Sequence, residues 1–193
     1  MAQKGLLIIV SAPSGAGKMT LLNKVQEQVG QFATTISATT RQPRVTEEDG
    51  REYYFLTRDD FEKRIAAREF VEWAEVHGNL YGTLACELER CLATGKDVIL
   101  ELDVQGMRSF KAIGRQGIYF FFLPPSLEEL ERRLRTRGAN DEADLALRMK
   151  NAEAEMVAKD EYDYIIVNDD LDRAAAEMCA ALTEERKKAA ASA

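Results

Sequence analysis

LLIIVSAPSGAGKMTLL, residues 6–22, is the stretch of sequence that decides the fold. Its first five residues are apolar and mostly aliphatic, which predicts a buried strand, and an amphipathic helix is predicted from Gly17 to about Val29. Between them, Gly15 and Gly17 leave main-chain N–H groups free to wrap around a phosphate chain, and the Lys18 ammonium can reach its terminal groups. Strand, glycine loop and helix in this order predict a nucleotide-binding loop.

The loop departs at two positions from the usual pattern G-x-x-x-x-G-K-[ST]. Ala12 stands in place of the first glycine, and Met19 in place of the hydroxyl that ligates Mg²⁺. A thioether is a soft ligand and does not suit Mg²⁺, whereas the hydroxyl of Thr20 can reach a phosphate oxygen. The alternative is a glycine-rich turn without a ligand. We expect ATP, with Mg²⁺, to be bound here by Ser14, Gly15, Ala16, Gly17, Lys18, Met19 and Thr20.

Further apolar runs indicate an α/β fold with a parallel sheet. Residues 98–102, 118–123 and 164–167 predict strands, and each is followed by a stretch with helical spacing. The helix after Pro125 opens with Ser126 and Glu129 in the spacing of a capping box. Four runs of this kind, counting the first strand, predict a P-loop core of parallel strands.

Two segments differ from this core. Residues 37–85 contain strand-like runs at 53–56 and 70–76 around a short helix that starts near Thr57, which predicts an inserted, mixed α/β substrate lobe. Residues 132–148 carry several arginines around a Gly-Ala-Asn-Asp break, which predicts two helices joined at a tip, as in a helical lid. We therefore expect one domain, with a core at residues 1–36, 86–131 and 149–193.

Composition excludes several classes of protein. The 193 residues have a net charge of -7, which disfavours a nucleic-acid-binding surface, and no apolar run is long enough to span a membrane. The start of the chain lacks the length of a secretory signal, so a cytoplasmic protein is expected. His77 and the cysteines do not have metal-ligand spacing. The sequence does not indicate the oligomeric state.

With the loop in place, four further segments give the sequence a specific resemblance. SATTRQPRVTEEDGREYYF, residues 37–55, resembles the signature of guanylate kinases, TTRxPR followed by an acidic loop and Gly-x-x-Tyr. Residues 69–83, EFVEWAEVHGNLYGT, are similar to the second motif of that family's GMP lobe. VILELDVQG and YIIVNDDLD resemble its later core strands and the turns after them. The resemblance covers nearly the whole chain and implies transfer of the γ-phosphoryl group of ATP to GMP, and to dGMP.

Some of the chemistry that this resemblance implies also follows from the residues. The GMP phosphate is a dianion, and the guanidinium groups of Arg41 and Arg44, on a loop with Pro43, suit it. Alternation along residues 70–76 puts Glu72 on an otherwise apolar face, where its carboxylate can accept from N1–H and the N2 amino group of guanine. The resemblance implies that GMP contacts Ser37, Arg41, Arg44, Tyr53, Glu72, Tyr81, Thr83, Glu101 and Asp103.

The resemblance also implies residues that assist the transfer. Asn168 is similar to a residue in the turn that borders adenine, although a helix N-cap explains it equally well. Either Glu101 or Asp103 can help to hold Mg²⁺, with Asp103 acting through a water molecule. The alternative is that one of these carboxylates only pairs with an arginine. An ion pair with an arginine of the lobe, such as Arg41, is the alternative for Glu72. The catalytic residues expected are Lys18, Arg41, Arg133, Arg137 and Arg148.

Two other functions stay open at this point. One is a non-catalytic binding module with the same fold, which intact Lys18 and the complete set of arginines disfavour. The other is a kinase that acts on a sugar phosphate, which has no use for a carboxylate placed like that of Glu72.

Overall fold

The computed structural model describes residues 5–76, 78–136 and 142–191, arranged in two compact units. The first unit comprises the chain up to Leu7 together with Phe32–Gly117, and the second comprises Ile8–Gln31 together with the chain from Ile118 onward. His77 and Arg137 lie outside the described residues. None of the described helices is both long enough and apolar enough to cross a membrane.

The second unit contains parallel strands and most of the long helices. Its elements are β1 (Leu7–Ser11, whose first residue belongs to the first unit), α1 (Lys18–Val29), β8 (Ile118–Leu123), α5 (Leu127–Thr136), α6 (Glu142–Val157), a 3₁₀ helix (Ala158–Glu161), β9 (Tyr164–Val167) and α7 (Leu171–Ala191). β8 pairs in parallel with β1 on one side and with β9 on the other. Its residues Phe120, Phe121 and Phe122 are fully buried, as expected for a strand that is covered on both faces.

The first unit contains a second sheet with mixed strand directions. Its elements are β2 (Ala33–Thr34), β3 (Ser37–Thr39), β4 (Tyr53–Phe55), α2 (Arg58–Ala66), β5 (Phe70–Val76), β6 (Asn79–Leu84), α3 (Ala85–Leu92), β7 (Val98–Glu101) and α4 (Val104–Ala112). The sheet runs in the order β4-β3-β6-β5, and β2 pairs separately with β7 in parallel. β3 is parallel to β4 and antiparallel to β6, which is antiparallel to β5.

The structure confirms the α/β fold with parallel core strands that the sequence predicts. The Oγ of Ser126 accepts a hydrogen bond from the N–H of Glu129 at 3.2 Å, and the side chain of Thr57 caps α2. The sequence did not predict β3 and β6. β3 has three residues and is specified by its neighbours, and β6 contains Gly82, a weak strand former. A Cβ on Gly82 would lie 2.9 Å from the Cβ of Trp73, so close packing explains the glycine.

Candidate nucleotide-binding sites

The glycine loop of the second unit joins β1 to α1. Gly15 and Gly17 have φ angles of 91° and 86°, which residues with a Cβ rarely adopt. A Cβ on Gly17 would also lie 2.5 Å from Nδ2 of Asn168. Among the described residues other than glycine, only Arg68 has a positive φ, so Ala12 lies in an ordinary conformation. The first departure from the loop pattern therefore falls where the backbone does not need a glycine.

The N-terminus of α1 is built differently from those of α2 and α4. Thr57 caps α2 and Asp103 caps α4 through their side chains, but the N-cap of α1 is Gly17, which has no side chain to accept from the first turn. The first turn of α1 also lacks an acidic residue. The positive end of a helix without such a cap is suited to a bound anion. The chemistry of this terminus therefore suits the phosphate that the sequence predicts here.

Two side chains hold the carbonyl oxygen of Ala16 within this loop. The amide Nδ2 of Asn168 donates to it at 2.8 Å, and Nη1 of Arg133 donates to it at 3.2 Å. Nη2 of Arg133 donates to the carbonyl of Asn168 at 3.2 Å, and Glu129 accepts from its Nε at 2.8 Å. Asn168 is 6% exposed. Its side chain therefore anchors the loop, and its main-chain carbonyl holds Arg133 beside the loop.

A cavity of about 360 Å³ opens over the loop. Lys18, the first residue of α1, is half-buried, and the side chain of Met19 is exposed. Arg148 lies on α6, where its Nε donates to Asp144 at 3.0 Å. Glycine main chain, threonine hydroxyls and two arginines in the lining suit a polyphosphate, and an amide, a carboxylate and an apolar side chain complete it. The lining residues are Gly15, Gly17, Thr20, Arg132, Arg133, Thr136, Asn168, Asp169 and Leu171.

In the first unit, Arg41 and Arg44 meet at the carboxylate of Glu47. Nη2 of Arg41 lies 3.0 Å from the carboxylate, and the main-chain N–H of Arg44 donates to the same carboxylate at 2.8 Å. The N–H of Glu47 in turn donates to the carbonyl of Arg44 at 3.0 Å, which closes the turn. The N–H of Arg44 and then the Arg41 guanidinium hold the pKa of Glu47 below its usual value. One ionised carboxylate therefore binds the Arg41 guanidinium and the main chain at Arg44.

Aromatic rings surround the guanidinium of Arg41. Its Cζ lies 5.5 Å from the ring centre of Tyr53 and 5.8 Å from that of Phe55, within the range of cation–π attraction. Burial lowers the pKa of Arg41, but Glu47 and the Tyr81 hydroxyl more than offset it. Burial raises the pKa of Tyr53. Tyr53 therefore keeps its proton at neutral pH and remains a hydrogen-bond donor next to a permanent cation.

Glu72 is buried on β5, 6% exposed, beside Thr83 on β6. Burial raises its pKa to about 7, the Thr83 hydroxyl and main chain offset part of this, and the charge of Asp103 adds to it. Thr83 Oγ1 itself is buried without a well-aligned hydrogen bond among the described residues. The ion pair between Glu72 and Arg41 is not present, since Arg41 pairs with Glu47. Glu72 and Thr83 are thus buried polar groups that offer contacts to a ligand.

Strand pairing brings the other predicted residues of this unit together. Ser37 is opposite Tyr53, and Tyr81 is opposite Thr39, two residues from Ser37. The charge of Glu101, at the end of β7, contributes to the raised pKa of Tyr53 and therefore lies near it. The residues that the sequence predicts for GMP all belong to this unit, and those that it predicts for ATP belong to the second.

The donor set for a metal ion is sparse. No group of three or more histidine, cysteine, aspartate or glutamate side chains within the described ranges could hold a metal ion. Oδ1 of Asp103 accepts from the N–H of Gly106 at 2.7 Å, which leaves Oδ2 for a water molecule. Mg²⁺ in kinases is held mainly by nucleotide phosphates and water, with few protein ligands, and the residues present fit that arrangement.

Sequence reasoning missed two residues of the first unit. Glu47 was seen only as part of an acidic loop, although a carboxylate three residues after an arginine can close a turn on it. The second is Glu87 on α3, which is 6% exposed and accepts from Tyr54 at 3.1 Å and from the main chain of Ile36 at 3.2 Å. It fixes the strands that carry Ser37 and Tyr53. Arg90, three residues later, also donates to Glu87, at 2.9 Å, but no local pattern predicts the contacts with Tyr54 and Ile36, which are 33 and 51 residues away in sequence.

Comparisons with known proteins agree with this geometry. The sequence model of the family described as Guanylate kinase matches residues 4–185. The guanylate kinase of Carboxydothermus hydrogenoformans is 48% identical over 96% of this chain and 91% of its own length, and that of Geobacter metallireducens is 45% identical over 96% and 92%. The crystal structure of guanylate kinase from Anaplasma phagocytophilum superposes with a TM-score of 0.75 and 32% identity, covering 95% of this chain and 87% of that one.

Two candidate sites accompany a match along almost the whole sequence. One is an uncapped helix N-terminus that suits a polyphosphate, and the other is a turn with paired arginines in the same unit as a buried carboxylate. The chain belongs to the guanylate kinase family of nucleoside monophosphate kinases.

Proposed function

We propose that this chain transfers the γ-phosphoryl group of ATP to GMP or dGMP, giving ADP and GDP or dGDP. The observation that carries the choice of acceptor is Glu72, a buried carboxylate that has no basic partner among the described residues and lies in the same unit as Arg41 and Arg44. Guanine offers it two adjacent donors, N1–H and the N2 amino group, and the arginines suit the phosphate. A sugar phosphate would leave the carboxylate unpaired, and a binding module would not need the loop in the second unit.

On the acceptor side, we assign the phosphate to Arg41, Arg44 and the hydroxyls of Tyr53 and Tyr81. We assign contacts with the guanine base to Ser37, Glu72 and Thr83, with Glu101 and Asp103 at the edge of the base. The GMP oxygen is itself the nucleophile, so the protein has to position it and to stabilise the charge of the transferred group. The aromatic rings around Arg41 limit its rotamers and thereby reduce the entropy lost when the phosphate binds.

On the donor side, the main chain from Ser14 to Thr20 wraps the ATP phosphates, and Lys18 neutralises the terminal groups. Hydrogen bonds to the carbonyls of Ala16 and Asn168 hold Arg133 beside the loop, which supports a role in contacting phosphate oxygens. Arg137 and Arg148 complete the set of catalytic arginines in this proposal. Mg²⁺ would neutralise charge on the phosphates when bound, with Asp103 holding one of its waters. The three-part division into core, GMP lobe and lid, and a cytoplasmic location, belong to the same proposal.

A coupled assay of ADP release tests the assignment directly. With ATP and Mg²⁺ present, GMP is expected to support turnover at least about 10³-fold better, as kcat/KM, than AMP or ribose 5-phosphate, because only guanine pairs with Glu72. Faster turnover with ribose 5-phosphate would identify a sugar phosphate kinase. Binding of GMP without any turnover would identify a binding module.

Glu47→Gln is expected to raise the KM for GMP about tenfold with a smaller change in kcat. The substitution removes the charge that orients Arg41 and weakens the turn at Arg44, while nothing in the loop of the second unit changes. Steady-state kinetics with GMP varied at saturating ATP give the two constants.

Glu48→Gln is the matched control for this experiment, because Glu48 is the next residue, is exposed, and pairs with Arg51 instead. It should keep the KM of the original protein. If Glu47→Gln lowers the KM for GMP, the carboxylate competes with the phosphate for the arginines and does not orient them.

A further inference from the structure

Gly106 lies in the first turn of α4 in an ordinary helical conformation. Its φ is not in the left-handed region, so alanine could adopt the same backbone. Alanine would also favour the helix by about 1 kcal/mol, because glycine is a poor helix former. Neither backbone conformation nor helix propensity therefore explains a glycine at this position.

The space around Gly106 does explain it. A Cβ at this position would lie 2.8 Å from Oε2 of Glu72 and 3.1 Å from Oδ1 of Asp103. Both distances are shorter than an ordinary contact between carbon and oxygen. Oδ1 of Asp103 is held by its hydrogen bond to the N–H of Gly106, at 2.7 Å. The group that would have to move is therefore the carboxylate of Glu72.

Glu72 has little room in which to move. It is 6% exposed, its strand β5 packs against α4, and Thr83 lies beside it on β6. A carboxylate that accepts from two adjacent donors at once must keep its plane and position within about 0.5 Å. A methyl group at position 106 would push Oε2 away by at least several tenths of an ångström. Such a shift need not disturb the fold, because only the end of one side chain is displaced.

We propose that Gly106 is a positioning residue for guanine selectivity. Because Gly106 has no side chain, the Glu72 carboxylate can lie against α4 and face the base. This inference rests on the proposed function of Glu72. In this role the missing side chain of Gly106 acts on the base through Glu72. Its N–H serves the neighbouring site residue in addition, because it binds Asp103.

Gly106→Ala is the test. We expect the KM for GMP to rise about 10- to 100-fold, the KM for ATP to stay within twofold, and the preference for GMP over AMP to narrow. The melting temperature should remain within a few degrees. Gln105→Ala is the control, because Gln105 is the exposed neighbour in the same turn of α4. An unchanged KM for GMP in folded Gly106→Ala would overturn the proposal.

A double-mutant cycle with Glu72→Asp separates this role from a general effect on α4. Aspartate is one methylene shorter, so its carboxylate withdraws from position 106 and leaves room for a methyl group. In the Glu72→Asp background, Gly106→Ala should therefore raise the KM for GMP no further. The same background also relieves the clash if the single variant folds poorly. Additive losses would assign the effect to the helix and overturn the proposal.

Carboxyl NMR of the nucleotide-free protein distinguishes the failure of this inference from the failure of the proposed function. If Gly106 makes room for Glu72, the Gly106→Ala variant changes the carboxyl chemical shift and the titration midpoint of Glu72 without any GMP present. An unchanged Glu72 signal would refute the inference, whatever the substrate. If the Glu72 signal changes but the protein does not select GMP, the contact between position 106 and Glu72 is confirmed and the proposed function is wrong.

Discussion

Lys18→Ala is expected to reduce kcat for GMP phosphorylation by at least about 10³-fold while the protein stays folded. The ammonium follows Gly17 at the uncapped start of α1, where it offsets charge on the β- and γ-phosphates as that charge shifts in the transition state. Alanine at this position removes the charge but favours the helix, so the free energy of unfolding should not fall. The coupled assay gives kcat, and a thermal melt gives the melting temperature.

Lys24→Ala is the matched control, because it removes the same charge from the same helix. Lys24 pairs with Asp172 of α7 at 2.9 Å and is not part of the loop. It should keep turnover close to that of the unmodified protein. Near-normal turnover in a folded Lys18→Ala variant would mean that the phosphate loop has been assigned wrongly.

Glu72→Gln is expected to have the largest effect on specificity. It should lower kcat/KM for GMP by about 10³- to 10⁴-fold and bring the values for GMP and AMP close together, because the amide group presents a donor where guanine also has donors. ATP binding, which we assign to the second unit, should not change. Glu75→Gln is the control on the same strand, where Glu75 is exposed and pairs with Arg58 at 3.3 Å.

The raised pKa of Glu72 adds a pH dependence to this prediction. Only the ionised carboxylate accepts from both guanine donors, so the affinity for GMP should increase as the pH rises through about 7. The phosphate of GMP also ionises, with a pKa near 6, but this affects the original protein and the Glu72→Gln variant alike. The difference between the two pH profiles therefore isolates Glu72. Parallel profiles in the original protein and in Glu72→Gln would show that guanine is read by other groups, with Ser37, Thr83 and Asp103 the next candidates.

Glu72 also links stability to pH. Its pKa in the folded state, about 7, is above the usual value of 4.5, so the folded state keeps the proton over a pH range in which the unfolded state has lost it. This contribution to the free energy of unfolding is full below pH 4.5 and is lost as the pH rises towards 7. Glu72→Gln should lack it. Urea unfolding of both proteins between pH 5 and pH 8 measures the difference.

The order of the core elements and the location of the phosphate loop could be predicted from the sequence, because both depend on local patterns. The apolar runs at 118–123 and 164–167 coincide with β8 and β9, and the helix predicted from Gly17 coincides with α1. Alternation along β5 placed Glu72 and Ala74 inside and Trp73 outside, as observed, although a bulge near Val71 interrupts it. Periodicity of side chains is a property of the strand itself and needs no tertiary contact.

Only the tertiary structure decided which groups meet. The carboxylate of Glu47 holds both arginines because a turn folds it back onto Arg44, and the amide of Asn168 reaches Ala16, from which it is 152 residues distant. Gly106 has no pattern in sequence that relates it to Glu72. A hydrogen bond or an excluded methyl group depends on the distance between elements that are remote along the chain, and distances of that kind are set by packing. The residue types with the right chemistry were therefore determined by sequence, and their orientation was determined by the fold.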